Sequence, residues 1–149
     1  PTIWSVFVKS GVLGQAYIDD RNALFDQYFH FEQEGNITKT EEWFLKLAEL
    51  FVKYHLTTEQ IDTIVLDDRY FAPRDGVADF LTRIQEQDIP LYIVSSGVSS
   101  FISRWFELRF GYIPDIIIAN ELIIENGIVT GVEEELVICP LDKTIELEF

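Results

Sequence analysis

Residues 89–101, Ile-Pro-Leu-Tyr-Ile-Val-Ser-Ser-Gly-Val-Ser-Ser-Phe, join a short apolar run directly to a helical pattern. An apolar run of this length is typical of a strand that is buried on both faces of a parallel sheet. A helical pattern precedes it at 73–87, another follows at 98–110, and an extended pattern covers 115–125. This alternation predicts an α/β protein, with helices on the faces of a parallel sheet.

The first half of the chain is predicted to be mostly helical. Residues 2–8 fit either a strand or a buried helical turn, whereas 21–31 fit a helix. Thr38 and Glu41 have the spacing of a capping box, which predicts the start of a further helix, and Thr57 with Gln60 repeats that spacing. The helix that starts near Thr38 carries an apolar stripe with helical periodicity: Trp43, Leu47, Leu50 and Tyr54.

The last part of the chain carries shorter signals. Glu-Asn-Gly at 125–127 followed by an apolar run predicts a β-hairpin. Residues 135–140 predict one more short strand, and 141–149 predict the start of a helix.

Composition restricts the class of protein. The chain has 149 residues, of which 48% are hydrophobic, which suits one domain or a core with a small insertion. Its net charge of −15 argues against binding to nucleic acid or to anionic membranes. Cys139 is the only cysteine, so an internal disulfide is excluded and we expect a cytoplasmic protein. No apolar run reaches the roughly 20 residues of a membrane span, and no signal peptide is recognisable. The chain begins with Pro1 and contains no Met, so we expect both ends to be incomplete.

Two segments are candidates for binding an anion. Ser95, Ser96 and Gly97 end the apolar run, and ligands of parallel sheets bind beyond the carboxyl ends of the strands. Hydroxyls and the backbone N–H groups at the start of the next helix can hold a phosphate there, although the same residues are also typical of a plain helix cap. Lys143 follows the predicted strand at 135–140 and is expected at the same edge, unless it is an ordinary surface lysine.

Glu32 is a candidate for recognition of a base. It lies close to the aromatic residues Tyr28, Phe29 and Phe31. A carboxylate beside aromatic rings can accept a hydrogen bond from an exocyclic amine while a ring stacks on the base. The alternative is a solvated glutamate at a helix end.

Other chemistry has less support. His30 and His55 do not suggest a metal pair, and there is no Cys/His cluster for zinc. The acidic pairs at 19–20 and 67–68 are interpreted as turns or solvated faces in preference to a magnesium site. The chain contains no G-x-S-x-G nucleophile elbow.

Six segments in a common order resemble those of the haloacid dehalogenase superfamily of phosphatases, and most closely those of the cytosolic pyrimidine 5′-nucleotidases. The resemblance covers about residues 15–144. The matching segments are Tyr-Phe-His-Phe-Glu at 28–32, Glu-Trp-Phe at 42–44, Pro-Arg-Asp-Gly at 73–76, the strand and Ser-Ser-Gly at 89–97, Ala-Asn through Gly at 119–131, and Asp-Lys-Thr at 142–144.

The resemblance implies a Rossmann-like parallel sheet with an inserted helical cap. The cap would comprise residues 15–72, and the α/β core would comprise 1–14 and 73–149. It also implies roles by position: Ser95, Ser96 and Gly97 bind the phosphate, Lys143 stabilises the phosphoryl group, and Glu32 reads the nucleobase.

The implied activity is hydrolysis of a small phosphorylated substrate such as a nucleoside monophosphate, through an aspartyl-phosphate and with Mg²⁺. The D-x-D-x-T motif that supplies the nucleophile would precede residue 1, and a late acidic motif would follow residue 149. The segment most similar to the D-x-D-x-T motif is Ile-Val-Leu-Asp-Asp at 64–68, which contains Asp67 but lacks the D-x-D spacing. Leu47 stands where the family has a serine in the cap. The alternatives are a phosphatase for phosphoserine or a sugar phosphate, and a binding protein without catalysis. The sequence does not predict an oligomeric state.

Overall fold

The computed structural model describes residues 2–135 and 137–142. The helices are α1 (Ile3–Ser10), α2 (Gln15–Gln33), α3 (Ile37–Lys53), α4 (Thr58–Val65), α5 (Asp68–Phe71), α6 (Val77–Glu86) and α7 (Ser99–Phe110). The strands are β1 (Tyr92–Val98), β2 (Ile116–Asn120), β3 (Leu122–Glu125) and β4 (Ile128–Val132), and a 3₁₀ turn covers Pro140–Asp142. Within the described ranges no helix has the length and apolarity that a membrane crossing requires.

The ambiguous N-terminal segment is a helix. Thr2 and Ser5 form a reciprocal capping box at the start of α1, and Gly11, with a φ of 67°, ends the helix. The buried residues of α1 recur with a helical period, which is incompatible with the alternation of a strand: Ile3, Trp4, Val6 and Phe7.

The start of α3 differs from the prediction. Asn36 is the N-cap, and its side chain accepts a hydrogen bond of 3.1 Å from the backbone N–H of Lys39. Thr38 lies inside the helix, so the capping box with Glu41 was wrong. Asparagine is at least as good an N-cap as threonine, and two capping signals two residues apart cannot both be used. The predicted box of Thr57 and Gln60 is confirmed at the start of α4.

A parallel sheet is present and confirms the predicted α/β class. Strands β1 and β2 pair in parallel, and α7 connects them. The strand β1 is not buried on both faces as predicted, because Tyr92 is 39% exposed and Val94 is 37% exposed. Among the described residues only β2 pairs with β1, so the other edge of β1 has no strand beside it there.

The predicted hairpin is confirmed. Asn126 and Gly127 both have positive φ, as a type I′ turn between β3 and β4 requires. The hairpin is tied to the start of α4, because the N–H of Thr58 donates to the carbonyl of Gly127 at 2.9 Å. It also packs against α3, so it belongs to the helical part of the molecule.

The predicted strand at 135–140 is absent from 137–139, and Leu136 lies outside the described residues. The side chain of Asn120 bonds both backbone groups of Ile138, so this segment has no need of a strand partner there. The predicted helix start at 141–149 lies outside the described residues from 143 onward.

One aromatic cluster joins the two proposed parts of the chain. The ring of Phe51 on α3 lies 5.0 Å from that of Phe7 on α1 and 5.7 Å from that of Phe101 on α7. Tyr17 on α2 stacks on Phe51 at 6.1 Å. The cap of 15–72 and the core of 1–14 and 73–149 thus share a core, and the division between them stays a prediction.

The position of the α3 cap can be tested by a pair of substitutions. Asn36→Ala removes the side chain that caps the helix and should lower the free energy of unfolding by about 1 kcal/mol. Thr38→Ala removes no capping group and should change it by less than about 0.5 kcal/mol. Urea denaturation followed by circular dichroism measures both, and a larger loss for Thr38→Ala would contradict the assignment.

Candidate active site

The Ser95–Gly97 segment bulges out of the sheet. Four steps along β1, from Val94 to Val98, match two steps along β2, from Ile118 to Asn120. The backbone N–H of Gly97 donates to Ser95 Oγ at 3.0 Å, which holds the bulge in a tight conformation. A Cβ atom at position 97 would lie 3.1 Å from Ser95 Oγ, so the close approach favours glycine.

Helix α7 begins immediately after this bulge. Its N-cap is Val98, which has no side-chain group to bond the first N–H groups of the helix. These N–H groups carry the positive end of the helix dipole. The bulge and the uncapped helix start therefore place a hydroxyl and several backbone donors together, as the sequence predicted for Ser95, Ser96 and Gly97.

Asn120 holds the bulge; it lies in the matched segment at 119–131, but sequence reasoning assigned it no role. Its side chain is 3% exposed, and its Nδ2 donates to the carbonyl oxygens of Ser96 and Gly97 at 3.0 Å each. Nδ2 also donates to the carbonyl of Ile138 at 2.9 Å, while Oδ1 accepts from the N–H of Ile138 at 2.8 Å. One amide thus fixes the bulge against the segment that leads to Lys143.

Trp4 supports the bulge from the other side and was also missed. Its indole N–H donates to the carbonyl of Ser96 at 3.3 Å. Its ring contacts Phe44 and Phe51 on α3 at 5.6 and 5.8 Å. Helix α1 therefore connects the bulge to the helical part of the chain.

A cavity of about 590 Å³ opens above the bulge. Its floor includes Ser95, Ser96 and Gly97, and its walls are mostly aromatic and aliphatic side chains from α1, α2, α3 and α7. Glu32 lines the same cavity. The structure thus brings together four of the five predicted site residues, and the fifth, Lys143, lies outside the described residues.

The aromatic neighbours of Glu32 divide between two sides of α2. Phe29 lines the cavity and stacks on Phe25 with ring centroids 4.6 Å apart. Tyr28 instead faces α3, where its hydroxyl donates to Glu42 at 2.6 Å, and burial together with that bond raises the pKa of Tyr28 to about 12. Of the predicted neighbours, Phe29 therefore shares the cavity with Glu32.

Acidic residues of the pairs at 19–20 and 67–68 bind cationic side chains of the chain itself. Asp67 caps α5 and pairs with Arg69 at 2.6 Å, and Asp68 pairs with Arg109 at 2.9 Å. Asp20 accepts from Lys53 at 2.6 Å, and this bond lowers the pKa of Asp20. Among the described residues no cluster of three potential metal ligands occurs, and Glu32 is the one carboxylate that lines the cavity. The described residues do not fit a magnesium site.

Comparison with known proteins shows the family of the chain. The family model for pyrimidine 5′-nucleotidase (UMPH-1) matches residues 1–144, and the chain belongs to this family. The family resemblance predicted from six sequence segments is therefore confirmed.

The individual relatives are distant and longer. The chain is 23% identical over 145 residues to a 7-methylguanosine phosphate-specific 5′-nucleotidase of Xenopus laevis. This alignment covers 92% of the chain and 50% of the relative. It is 28% identical over 104 residues to a putative cytosolic 5′-nucleotidase 3 of Caenorhabditis elegans, covering 68% of this chain and 27% of that protein. The chain thus spans at most about half of these relatives.

A solved structure shares the fold. The crystal structure of cytosolic 5′-nucleotidase IIIB bound to cytidine superposes with a TM-score of 0.73 at 20% sequence identity. The match covers 93% of this chain and 47% of that protein. The predicted α/β fold is therefore confirmed.

The role of Asn120 can be tested through stability. Asn120→Leu keeps the volume but removes the amide that bonds three carbonyl groups and the N–H of Ile138, of which the carbonyl of Ser96 keeps the indole N–H of Trp4. The substitution should cost about 2–4 kcal/mol, because the two backbone groups of Ile138 are buried. The exposed Asn22→Leu on α2 is a matched control and should change the free energy of unfolding by less than about 0.5 kcal/mol. Equal effects of the two substitutions in urea denaturation would show that Asn120 does not hold the bulge.

Proposed function

We propose that the protein hydrolyses nucleoside 5′-monophosphates. The observation that carries this proposal is that one cavity joins the donors of the Ser95–Gly97 bulge to an aromatic wall containing Glu32. Membership of the pyrimidine 5′-nucleotidase family supports it. The names of two relatives, one specific for 7-methylguanosine phosphate and one bound to cytidine, support a nucleoside as the organic part of the substrate.

In this proposal the phosphate occupies the bulge. The hydroxyl of Ser95 and the N–H groups that begin α7 can donate to phosphate oxygens, and the helix dipole favours their charge. Lys143 is proposed to add a full positive charge at the same edge. Such donors, fixed in place before the reaction, stabilise charge that develops on the phosphoryl oxygens.

The base is proposed to lie against the aromatic wall. Phe25 and Phe29 offer ring surface for stacking, and Glu32 can accept a hydrogen bond from an amine or ring N–H of the base. A phosphoserine or a phosphorylated sugar has no flat apolar surface to place there, so the wall favours a nucleotide over these alternatives.

The nucleophile is proposed to come from sequence that flanks residues 1–149. No D-x-D motif occurs in the chain, and the described acids near α5 are already paired with arginine. In the proposed reaction an aspartate attacks phosphorus, and the nucleoside leaves with a proton from a second acid. Water then hydrolyses the aspartyl-phosphate and releases phosphate. Magnesium, held by carboxylates outside the described residues, is proposed to balance the charge of the phosphate.

A cytoplasmic location is proposed from the single cysteine and from the cytosolic relative.

Lys143 and Ser95 are expected to contribute unequally. In the full-length protein, Lys143→Ala should lower kcat by about a hundredfold or more, because it removes a preorganised charge from the phosphoryl group. Ser95→Ala should cost less, since the neighbouring N–H groups continue to bind the phosphate. Steady-state hydrolysis of nucleoside monophosphates measures both, and near-normal turnover of Lys143→Ala would remove this residue from the site.

Glu32 is expected to select the substrate. Glu32→Gln should change the order of preference among nucleotides, because an amide presents a donor where the carboxylate presents only acceptors. Hydrolysis of p-nitrophenyl phosphate, which carries no base, should stay within about twofold of the unmutated protein. Equal losses on nucleotides and on p-nitrophenyl phosphate would assign Glu32 to the chemistry instead of base recognition.

A further inference from the structure

The carbonyl of Ser96 accepts hydrogen bonds from two side chains that belong to different elements. The indole N–H of Trp4 on α1 donates to it at 3.3 Å, and Nδ2 of Asn120 at the end of β2 donates to it at 3.0 Å. A carbonyl oxygen has two lone pairs, so these two donors use its acceptor capacity in full. The peptide between Ser96 and Gly97 is therefore held in one orientation from two directions.

This peptide determines the direction of the Gly97 N–H. A trans peptide is planar, and its N–H and its carbonyl point in opposite directions. Because the carbonyl is turned toward its two donors, the Gly97 N–H points to the other side, where it donates to Ser95 Oγ at 3.0 Å. The two side chains that bind the carbonyl thus act on Ser95 through one rigid peptide unit.

The bond from Gly97 determines what the hydroxyl of Ser95 offers to a ligand. A serine hydroxyl has one O–H donor and two acceptor lone pairs. The Gly97 N–H occupies an acceptor position, and a hydroxyl that accepts a hydrogen bond is polarised into a stronger donor. Ser95 lines the cavity, so its O–H is left for an acceptor in the cavity, and the oxygens of a phosphate are acceptors of this kind.

The ring of Trp4 packs independently of its N–H group. Trp4 is 6% exposed, and its ring stacks on Phe51 at 5.8 Å and lies edge-on to Phe44 at 5.6 Å. A phenylalanine at position 4 keeps an aromatic ring for these contacts but has no N–H to donate. The substitution Trp4→Phe therefore separates the donor from the packing. Asn120 allows no such separation, because its amide also binds Ile138.

We propose that Trp4 is a positioning residue that makes the hydroxyl of Ser95 a donor to the phosphoryl group of the substrate. Trp4 acts through the carbonyl of Ser96 and the N–H of Gly97, and its own N–H stays bound to that carbonyl. This inference rests on the nucleotide hydrolysis proposed above and adds a residue of α1 to the phosphate site.

A double-mutant cycle in the full-length protein tests the connection between Trp4 and Ser95. Trp4→Phe should lower kcat/KM by about threefold to tenfold, as expected for loss of one neutral hydrogen bond. In a protein that carries Ser95→Ala, the same substitution should change kcat/KM by less than about twofold, because the hydroxyl on which Trp4 acts is gone. A residue that only packs would lower kcat/KM by the same factor in both backgrounds, and that result would overturn the proposal.

Two substrates that share only the phosphate locate the effect of Trp4→Phe. The fold-loss should be equal for cytidine 5′-monophosphate and for p-nitrophenyl phosphate, because Ser95 is proposed to bind the phosphate alone. A loss confined to the nucleotide would assign Trp4 to the wall of the cavity and overturn the proposal. Tyr54→Phe is the matched control, since it removes a hydroxyl bond of 2.6 Å to Asp20 away from the cavity lining and keeps the ring. It should leave both values within about twofold of the unmutated protein.

Nuclear magnetic resonance of the indole N–H groups gives a readout that is independent of turnover. The resonance of Trp4 is identified by the ring contacts with Phe44 and Phe51, so this measurement needs no variant of Trp4. Titration with inorganic phosphate should shift this resonance in the unmutated protein. It should leave the resonance unchanged in Ser95→Ala, because the proposed connection to the phosphate runs through that hydroxyl.

The titration also separates this inference from the proposed function. If the unmutated protein hydrolyses no nucleotide, the proposed function fails, and the shift of the Trp4 resonance still decides the role of Trp4. A shift that is lost in Ser95→Ala supports the proposal. An equal shift in the two proteins, or no shift in the unmutated protein, overturns it.

Discussion

The side-chain amide of Asn120 is the interaction on which the geometry of the site depends. It bonds three carbonyl groups and one N–H group that belong to β1 and to the segment around Ile138. These backbone groups are unable to pair in a regular sheet, because the Ser95–Gly97 bulge breaks the register of β1 against β2. A buried amide that bonds all four groups stabilises the bulge, although its two N–H hydrogens are shared among three carbonyl groups. The helix α7 that follows the bulge begins without a side-chain cap.

The rest of the cavity depends on how the helices pack over this bulge. Trp4 bonds the bulge through its indole and packs on α3 through its ring, so α1 acts as the link between the two parts. In a chain of net charge −15, most cations with short described contacts are paired with acids. Arg21 on α2 lines the cavity and forms no ion pair with a carboxylate among the described residues. The cavity is thereby able to attract an electron-rich ligand despite the acidity of the protein.

The sequence predicted those features whose signals are local. The apolar run before Ser95 gave a strand, and Asn126 with Gly127 gave the hairpin, because both depend on neighbouring residues alone. Thr38 was wrongly taken as a cap because Asn36 offers the same chemistry two residues earlier. A predicted strand at 135–140 failed because a distant side chain, Asn120, replaces the ladder that a strand would need.

The site was predicted only in part, because some of its residues have a role in the matched segments and others do not. The Ser95–Gly97 segment and Glu32 come from ordered motifs, and the structure places them in one cavity. Trp43 and Asn120 lie in the matched segments at 42–44 and 119–131, but the resemblance gives them no role, and Arg21 lies outside all six segments. Their importance depends on which helix face is covered by a neighbour, and tertiary packing decides this. A cation at helical spacing from Phe25 and Phe29 is the signal from which Arg21 could have been found.

The central claim is that the bulge and the aromatic wall form one nucleotide site. A crystal structure of the full-length protein with cytidine 5′-monophosphate tests it most directly. The account predicts phosphate oxygens within hydrogen-bond distance of Ser95 Oγ and of the first N–H groups of α7, with the base beside Glu32 and Phe29. A nucleotide bound outside this cavity, or one bound with its phosphate at Arg21 and its base at the bulge, would contradict the account.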